Sequence, residues 1–172
     1  MAVYTHVDEK AAESFLKEYE IGDLISLTGV EQGVENTNYI IDTTKGRYVL
    51  TLFEKRVAAN DLPFFMAAMA HMSANAIPAP APVVNKKDAV VGRLRGRPAA
   101  ITTFLSGQQH MEPAPDECRM MGETSARLHL VSRNFSMTRK NTLSLEGWRA
   151  LAAKTVARAD ECASGLSNII RE

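Results

Sequence analysis

The sequence predicts an α+β fold in which a five-stranded antiparallel sheet, with one inserted helix, precedes a set of helices. Three observations lead to this prediction. Residues 24–53 are rich in β-branched and aromatic residues between turn residues, which is typical of strands. A second pair of such segments surrounds the turn Arg95-Gly-Arg-Pro98. From about residue 106 the apolar residues recur at helical spacing, so the chain changes there from strands to helices.

The first element, residues 8–19, has apolar residues at helical spacing with Glu and Lys between them. Thr5, followed three residues later by Asp8, resembles a capping box for this helix, and Gly22 is expected to end the element. Three strands are then expected, near residues 25–31, 36–43 and 47–53.

Turn chemistry and periodicity place the remaining elements. Thr43-Thr-Lys-Gly46 is expected to form a hairpin turn, because glycine tolerates a positive φ. A helix is expected over residues 61–75, with Pro63 in its first turn. The other expected elements are an extended segment at 77–82, strands near 89–94 and 99–104, and helices at 116–131 and 145–163. In the last two helices a set of apolar side chains is expected to face a core: Met121, Leu128, Val131, Leu145, Trp148 and Leu151.

Charge and cysteine content limit the classes of function. The 20 basic and 20 acidic residues balance, so charge alone indicates neither a nucleic-acid nor a membrane partner. No apolar segment reaches the roughly 20 residues that span a bilayer, and a cytoplasmic location is expected. Cys118 and Cys162 lack metal-site spacing and are expected to be reduced, packed thiols. The sequence predicts no oligomeric state.

The best candidate for a ligand site is the loop Gln32-Gly-Val-Glu-Asn-Thr-Asn38. Gly33 permits a tight turn in which backbone N–H groups and polar side chains face an anion. An ordinary polar hairpin turn explains the same composition. Lys55 follows the third strand and could reach a phosphate, although its position alone favours a solvated lysine at a strand end. His129 lies at the end of an apolar helical stripe, a position that favours a packed or hydrogen-bonded structural histidine.

Several motifs of phosphoryl-transfer enzymes are absent from these 172 residues. There is no Gly-x-x-x-x-Gly-Lys loop. Kinase-like transfer uses an Asp that positions the attacking hydroxyl and an Asn five residues later that binds the metal. None of the chain's aspartates has Asn at that spacing.

Several segments, taken in order along the chain, nevertheless resemble the aminoglycoside phosphotransferase/choline kinase family. They are Gly33-Val-Glu-Asn-Thr-Asn-Tyr39, Gly46-Arg-Tyr-Val-Leu50, Ile77-Pro-Ala-Pro80, Arg97-Pro-Ala-Ala-Ile101, Phe104-Leu-Ser-Gly107 and Ala126-Arg-Leu-His129. Within that family, three segments are similar to the bacterial homoserine kinases: Glu35-Asn-Thr-Asn-Tyr39, Leu50-Thr-Leu-Phe-Glu-Lys-Arg56 and Asn141-Thr-Leu-Ser-Leu-Glu-Gly-Trp148.

The resemblance implies a protein-kinase-like, nucleotide-binding N-terminal lobe over residues 1–105. A connector and the first helices of a mainly α C-terminal lobe would follow over residues 106–172. The implied reaction transfers the γ-phosphoryl group of Mg²⁺-ATP to the hydroxyl of L-homoserine, a step toward threonine. The residues implied to bind ATP are Gly33, Val34, Glu35, Asn36, Thr37, Asn38, Lys55 and, at a hinge that meets adenine, Thr103, Phe104 and Leu105.

Two departures from the family pattern affect these expectations. The family usually carries Lys or Arg where Thr51 aligns and an acidic partner on the following helix, but residues 62–75 contain no acid. Either Lys55 substitutes for the cation, or the phosphates are ordered in another way. The catalytic loop and the Mg²⁺ ligands are expected beyond residue 172, so the chain alone is expected to be inactive. Two alternatives stay open: a kinase for another small alcohol or amine, such as choline, an aminoglycoside or a sugar, and a non-catalytic nucleotide-binding or interaction module.

Overall fold

The computed structural model describes residues 3–31, 35–54, 57–108 and 110–171. Helices and strands occur in the predicted order, with the strands first and most of the helices after them. The elements are α1 (Glu9–Leu16), β1 (Leu24–Gly29), β2 (Thr37–Thr43), β3 (Gly46–Leu52), α2 (Leu62–Ala74), β4 (Gly92–Leu94), β5 (Arg97–Thr103), α3 (Pro115–Ser132), α4 (Leu145–Thr155) and α5 (Leu166–Arg171). Short 3₁₀ helices precede α2 and follow α4.

The five strands form one antiparallel sheet in the order β1-β2-β3-β5-β4, which confirms the predicted α+β class. Both predicted hairpin turns are present. Gly46 has a φ of 145°, a conformation that glycine adopts easily, and it pairs with Thr43. Arg95 and Gly96 both have positive φ, which suits the tight turn between β4 and β5.

One face of the sheet packs against α1 and holds the main hydrophobic core. Alternate residues of β2, β3 and β5 are buried there, as the two-residue period of a strand requires. The core includes Phe15, Leu16 and Tyr19 from the helical side and Tyr39, Ile41, Leu50, Leu52, Ala99 and Ile101 from the sheet.

The start of α1 differs from the prediction. Asp8 is the N-cap, and its carboxylate accepts a hydrogen bond from the N–H of Ala11 at 2.7 Å. The capping box with Thr5 is therefore wrong, and the Thr5 hydroxyl bonds to Glu54 instead. The helix ends at Leu16, before the predicted Gly22, whose φ of 86° allows the chain to turn toward β1.

The opposite face of the sheet is covered in part by α2. A small cluster there combines Phe53, Leu62, Met66 and Ala100. Two rows of paired residues lie on the same face, because directly paired residues of antiparallel strands point the same way. The first row is Asn38, Thr51 and Ala100, and the second is Ile40, Val49 and Thr102.

The chain divides into two compact units, residues 1–137 and 138–172. The sheet and α3 belong to the first, and α4 and α5 to the second. The predicted division at residue 105/106 concerns functional lobes and stays a prediction. In the described residues, no helix combines the length and apolar character of a membrane span.

The core assignments for the last helices are wrong for four large side chains, whereas Leu128 and Val131 are half-buried. Met121 is 67% exposed and Trp148 60% exposed, and Leu145 and Leu151 are exposed as well. Helical spacing places Met121 on an apolar stripe of α3 and the other three on a stripe of α4, but in the described residues these side chains are not covered. Cys118 and Cys162 are free thiols, as expected, but both are exposed rather than packed.

Candidate functional site

The loop before β2 is described from Glu35 onward. Gly33, Val34 and Lys55 lie outside the described residues, and their roles stay predictions. Glu35 is exposed and Asn36 is half-buried. The side-chain oxygen of Asn36 accepts a hydrogen bond from the backbone N–H of Glu54 at 3.4 Å. The end of the loop is thereby joined to the chain that leaves β3.

Thr37 is buried, and its hydroxyl is fully engaged. The hydroxyl accepts hydrogen bonds from the N–H groups of Tyr4 and Thr5, both at 3.0 Å, and donates to Glu54 at 2.8 Å. One donor and two acceptor positions are all that a hydroxyl offers. In this conformation the Thr37 side chain supports the loop instead of facing a ligand.

Asn38 points to the other face of the sheet, where Thr51 is its direct partner on β3. The Thr51 hydroxyl donates to the Asn38 side-chain oxygen at 2.8 Å. This bond orients the carboxamide, whose NH₂ group is a pair of donors that a phosphate can accept from. Thr51, which stands where the resembled family has a cation, therefore orients a neutral donor group.

The predicted hinge begins where the pairing of β5 with β3 ends, at Thr103. The N–H of Thr103 donates to the carbonyl of Ala81 at 2.9 Å, and its hydroxyl accepts from the N–H of Ala81 at 2.9 Å. Phe104 and Leu105 follow outside the ladder, and Leu105 is exposed. Backbone groups beyond the ladder are suited to meet a planar base, as the hinge assignment requires.

Phe104 is held by a charged neighbour. The guanidinium of Arg47 lies 5.5 Å from the centre of the Phe104 ring, within cation–π range. Arg47 also pairs with Asp42, Nε to Oδ1, at 2.5 Å. Hydrogen bonds from Arg47 and then from Ser26 lower the pKa of Asp42 below its ordinary value, and the bond to Asp42 raises the pKa of Arg47. The Arg47 charge stays fixed next to the ring.

The loop end and the hinge both lie beside β3, at different positions along the strand. Tyr48 pairs with Thr103, and Thr51 pairs with Asn38. Tyr48 and Thr51 are three residues apart along an extended strand, a distance of roughly 10 Å. A polar donor group and an aromatic hinge residue thus lie at the two ends of one strip of the sheet, on which Ile40 and Val49 are only partly buried.

Sequence reasoning missed the most connected residue near this site, Glu54. Its side chain is only 8% exposed, and its carboxylate meets Thr5, Thr37 and Arg97. The signal was present in the sequence. Strand alternation places Glu54 on the face of the buried Leu52, and a buried carboxylate requires partners.

The other singled-out side chains do not join this site. Nε2 of His71 lies 3.0 Å from the carbonyl oxygen of Val131. His110 contacts Glu117, and His129 is exposed. The described part of the chain contains no group of three or more His, Cys, Asp or Glu side chains that could hold a metal ion.

Known proteins match this chain over most of its length. A model of the phosphotransferase enzyme family APH matches residues 26–168. The homoserine kinase of Bradyrhizobium sp. (strain ORS 278) is 48% identical over 170 residues, which are 99% of this chain and 53% of that protein. The homoserine kinase of Methylorubrum populi is 47% identical over 97% of this chain and 52% of its own length. The chain spans about half the length of the curated relatives it matches.

Solved structures share the fold at low identity. A spectinomycin phosphotransferase, APH(9)-Ia, in complex with ADP and spectinomycin, superposes with a TM-score of 0.66 at 12% identity, over 90% of this chain and 48% of its own. A microcompartment-associated aminopropanol kinase gives a TM-score of 0.57 at 16% identity, over 90% and 55%. At these identities the likeness extends to the fold alone.

Proposed function

The chain belongs to the phosphotransferase enzyme family, and from that premise we propose that it forms the ATP-binding half of a kinase that phosphorylates the hydroxyl of L-homoserine. The observation that carries the proposal is the 48% identity to a homoserine kinase over 99% of this chain. Such a relation over a complete nucleotide-lobe sheet supports a common substrate as well as a common fold. The product would be O-phosphohomoserine, on the route to threonine, formed in the cytoplasm.

The geometry supports a place for ATP on the strip of sheet between the loop end and the hinge. In this proposal the adenine meets the backbone near Thr103, Phe104 and Leu105, and the phosphates lie toward Asn36 and Asn38. The strip of about 10 Å is one that an extended nucleoside triphosphate can follow. Ile40 and Val49 would contact the base and sugar, since they are the partly buried apolar side chains between the two ends.

In this proposal the phosphates are bound by neutral hydrogen-bond donors and by residues outside the described part of the chain. Backbone N–H groups of the 33–38 loop and the NH₂ group of Asn38 are the proposed phosphate contacts. Gly33, Val34, Glu35 and Lys55 keep the roles that the family resemblance implies for them. Positioning and electrostatic stabilisation are the main contributions of such a lobe to phosphoryl transfer.

Mg²⁺ accompanies ATP in this chemistry, where it neutralises charge on the phosphates. The described residues offer no cluster of ligands for it, and no aspartate has the Asn partner of a kinase catalytic loop. The proposal therefore assigns neither a Mg²⁺ ligand nor a catalytic base to these residues. Their contribution is to bind and orient the nucleotide.

The test is ADP release by the complete protein in which these residues occur, with ATP and one acceptor at a time. L-homoserine, choline, an aminoglycoside and a hexose form the panel. We expect turnover with L-homoserine at least a hundredfold above each of the others. Turnover with choline or an aminoglycoside instead would contradict the substrate, and ATP binding without turnover on any acceptor would favour a non-catalytic nucleotide-binding module.

A further inference from the structure

The N-terminal segment, residues 4–7, is fastened to β2 by side chains instead of by a strand ladder. The N–H groups of Tyr4 and Thr5 both donate to the Thr37 hydroxyl at 3.0 Å. The N–H of Val7 donates to the Tyr39 hydroxyl at 2.9 Å, and that hydroxyl donates to the carbonyl of Thr5 at 3.2 Å. Two side chains of β2 thus satisfy the backbone of a segment more than 30 residues earlier.

A buried carboxylate connects this segment to two further strands. Glu54 accepts hydrogen bonds from the hydroxyls of Thr5 at 2.6 Å and Thr37 at 2.8 Å, and Nε of Arg97 lies 3.1 Å from its other oxygen. Thr5, Thr37, Glu54 and Arg97 form what we term the Glu54 cluster. It joins the N-terminal segment, the first residue of β2, the chain after β3 and the first residue of β5 at one point.

The Glu54 cluster lies next to the loop end but on the opposite face of the sheet. Thr37 and Glu54 point toward the α1 side, whereas Asn38 points to the strip proposed for ATP. The backbone N–H of Glu54 also donates to the Asn36 side chain. Residues 36–38 are therefore held from behind by groups whose side chains do not face the strip.

We propose that the N-terminal segment is a positioning element of the nucleotide site, which acts through Thr5 and the Glu54 cluster to fix residues 36–38 where they meet the phosphates. This inference rests on the proposed function. A carboxylate on a side chain that is only 8% exposed needs its hydrogen bonds, so the loss of one donor shifts the groups that share it. Thr5 and Glu54 are positioning residues, since they act on the nucleotide only through the loop end.

The experiment uses two variants of the complete protein at Thr5. Thr5→Val removes the hydroxyl at nearly constant volume, whereas Thr5→Ser keeps the hydroxyl. Glu54→Gln tests the carboxylate itself. Thr43→Val is the matched control, because Thr43 is the last residue of β2, is also buried, and its hydroxyl lies within bonding distance of the carbonyl of Ile21, a residue of a preceding segment. Steady-state kinetics give kcat and the KM values for ATP and L-homoserine, and thermal unfolding gives stability.

We expect Thr5→Val and Glu54→Gln to raise KM for ATP about tenfold, which corresponds to about 1.4 kcal/mol. KM for L-homoserine stays at the wild-type value, and Thr5→Ser restores KM for ATP. Thr43→Val lowers the melting temperature as much as Thr5→Val does, but leaves KM for ATP unchanged.

Equal KM values for ATP in wild type, Thr5→Val and Glu54→Gln would overturn the inference. So would an equal rise in the Thr43→Val control, because the effect would then be one of stability alone. A wild-type protein that binds no ATP would overturn the proposed function itself, and the inference with it. The two failures are distinguishable because the second appears without any substitution.

Discussion

The hydroxyl of Tyr19 gives the most quantitative test of the core. Tyr19 is only 3% exposed, its ring packs on Phe15 with centres 5.2 Å apart, and its buried hydroxyl has no hydrogen-bond partner in the described part of the chain. A buried, unsatisfied polar group costs about 1–3 kcal/mol. Tyr19→Phe removes the hydroxyl and keeps the ring, so we expect it to stabilise the protein by about 1 kcal/mol at pH 7.

The same hydroxyl gives a pH dependence with a definite sign. Burial, and secondarily the charge of Glu18, raises the pKa of Tyr19 from 10.0 to about 12. The folded state therefore holds this proton more tightly than the unfolded state does. The free energy of unfolding of the wild-type protein is therefore unaffected by this group below about pH 10 and falls by on the order of 2 kcal/mol as the pH rises toward 12. Tyr19→Phe has no hydroxyl at this position, so its free energy of unfolding does not fall for this reason.

The assay is urea unfolding of both proteins between pH 7 and pH 11, with the difference in unfolding free energy read at each pH. Tyr39→Phe is the matched control, because the Tyr39 hydroxyl bonds to Val7 and Thr5 and its removal is expected to destabilise by about 1–3 kcal/mol. A Tyr19→Phe protein that is less stable than wild type at pH 7 would refute the reasoning, since the hydroxyl would then have a partner.

Three further predictions concern the sheet and its turns. Gly22→Ala is expected to cost about 1–3 kcal/mol in urea unfolding, because φ is 86° and the added Cβ would lie 2.3 Å from the Thr44 hydroxyl oxygen; an unchanged midpoint would contradict this. Leu50→Ala, at a fully buried position, is expected to cost about 2–5 kcal/mol in the same assay, and a cost under 1 kcal/mol would place the core elsewhere. Thr51→Val removes the hydrogen bond that orients the Asn38 carboxamide, and it is expected to raise KM for ATP about threefold to tenfold. The same substitution is expected to lower the free energy of unfolding by about 1 kcal/mol. An unchanged KM for ATP would remove Asn38 from the proposed phosphate contacts.

Strand alternation and turn residues were enough to predict the sheet. Gly46 and the Arg95–Gly96 pair set the turns of the two hairpins. In the strands that flank these turns, the requirement that one face be buried determines the pairing register. The same alternation explains why Glu54 and Thr51 lie on opposite faces, where Glu54 contacts Thr5 and Thr37 while Thr51 meets Asn38.

Local sequence patterns do not predict polar contacts between residues that are far apart in the chain. Thr5 has the spacing of a capping box, but a hydroxyl can bond to any acceptor that the fold brings near, and Glu54 is 49 residues away. Helical periodicity likewise shows that Met121 and Trp148 lie on apolar stripes, but not which element covers a stripe. The candidate site divides in the same way. Composition makes the loop a candidate, and its role stays a prediction, whereas the support behind Thr37 required the packed structure.

Hydrogen–deuterium exchange of the protein with and without Mg²⁺-ATP tests the central claim most directly, because it locates the nucleotide on the fold without reference to turnover. The account expects slower exchange at residues 36–38 and 103–105, with no change at the Thr43–Gly46 turn. Protection confined to the cavity of about 620 Å³ lined by Lys17, Lys45 and Lys86 would contradict it. So would nucleotide binding that leaves residues 36–38 and 103–105 at their original exchange rates.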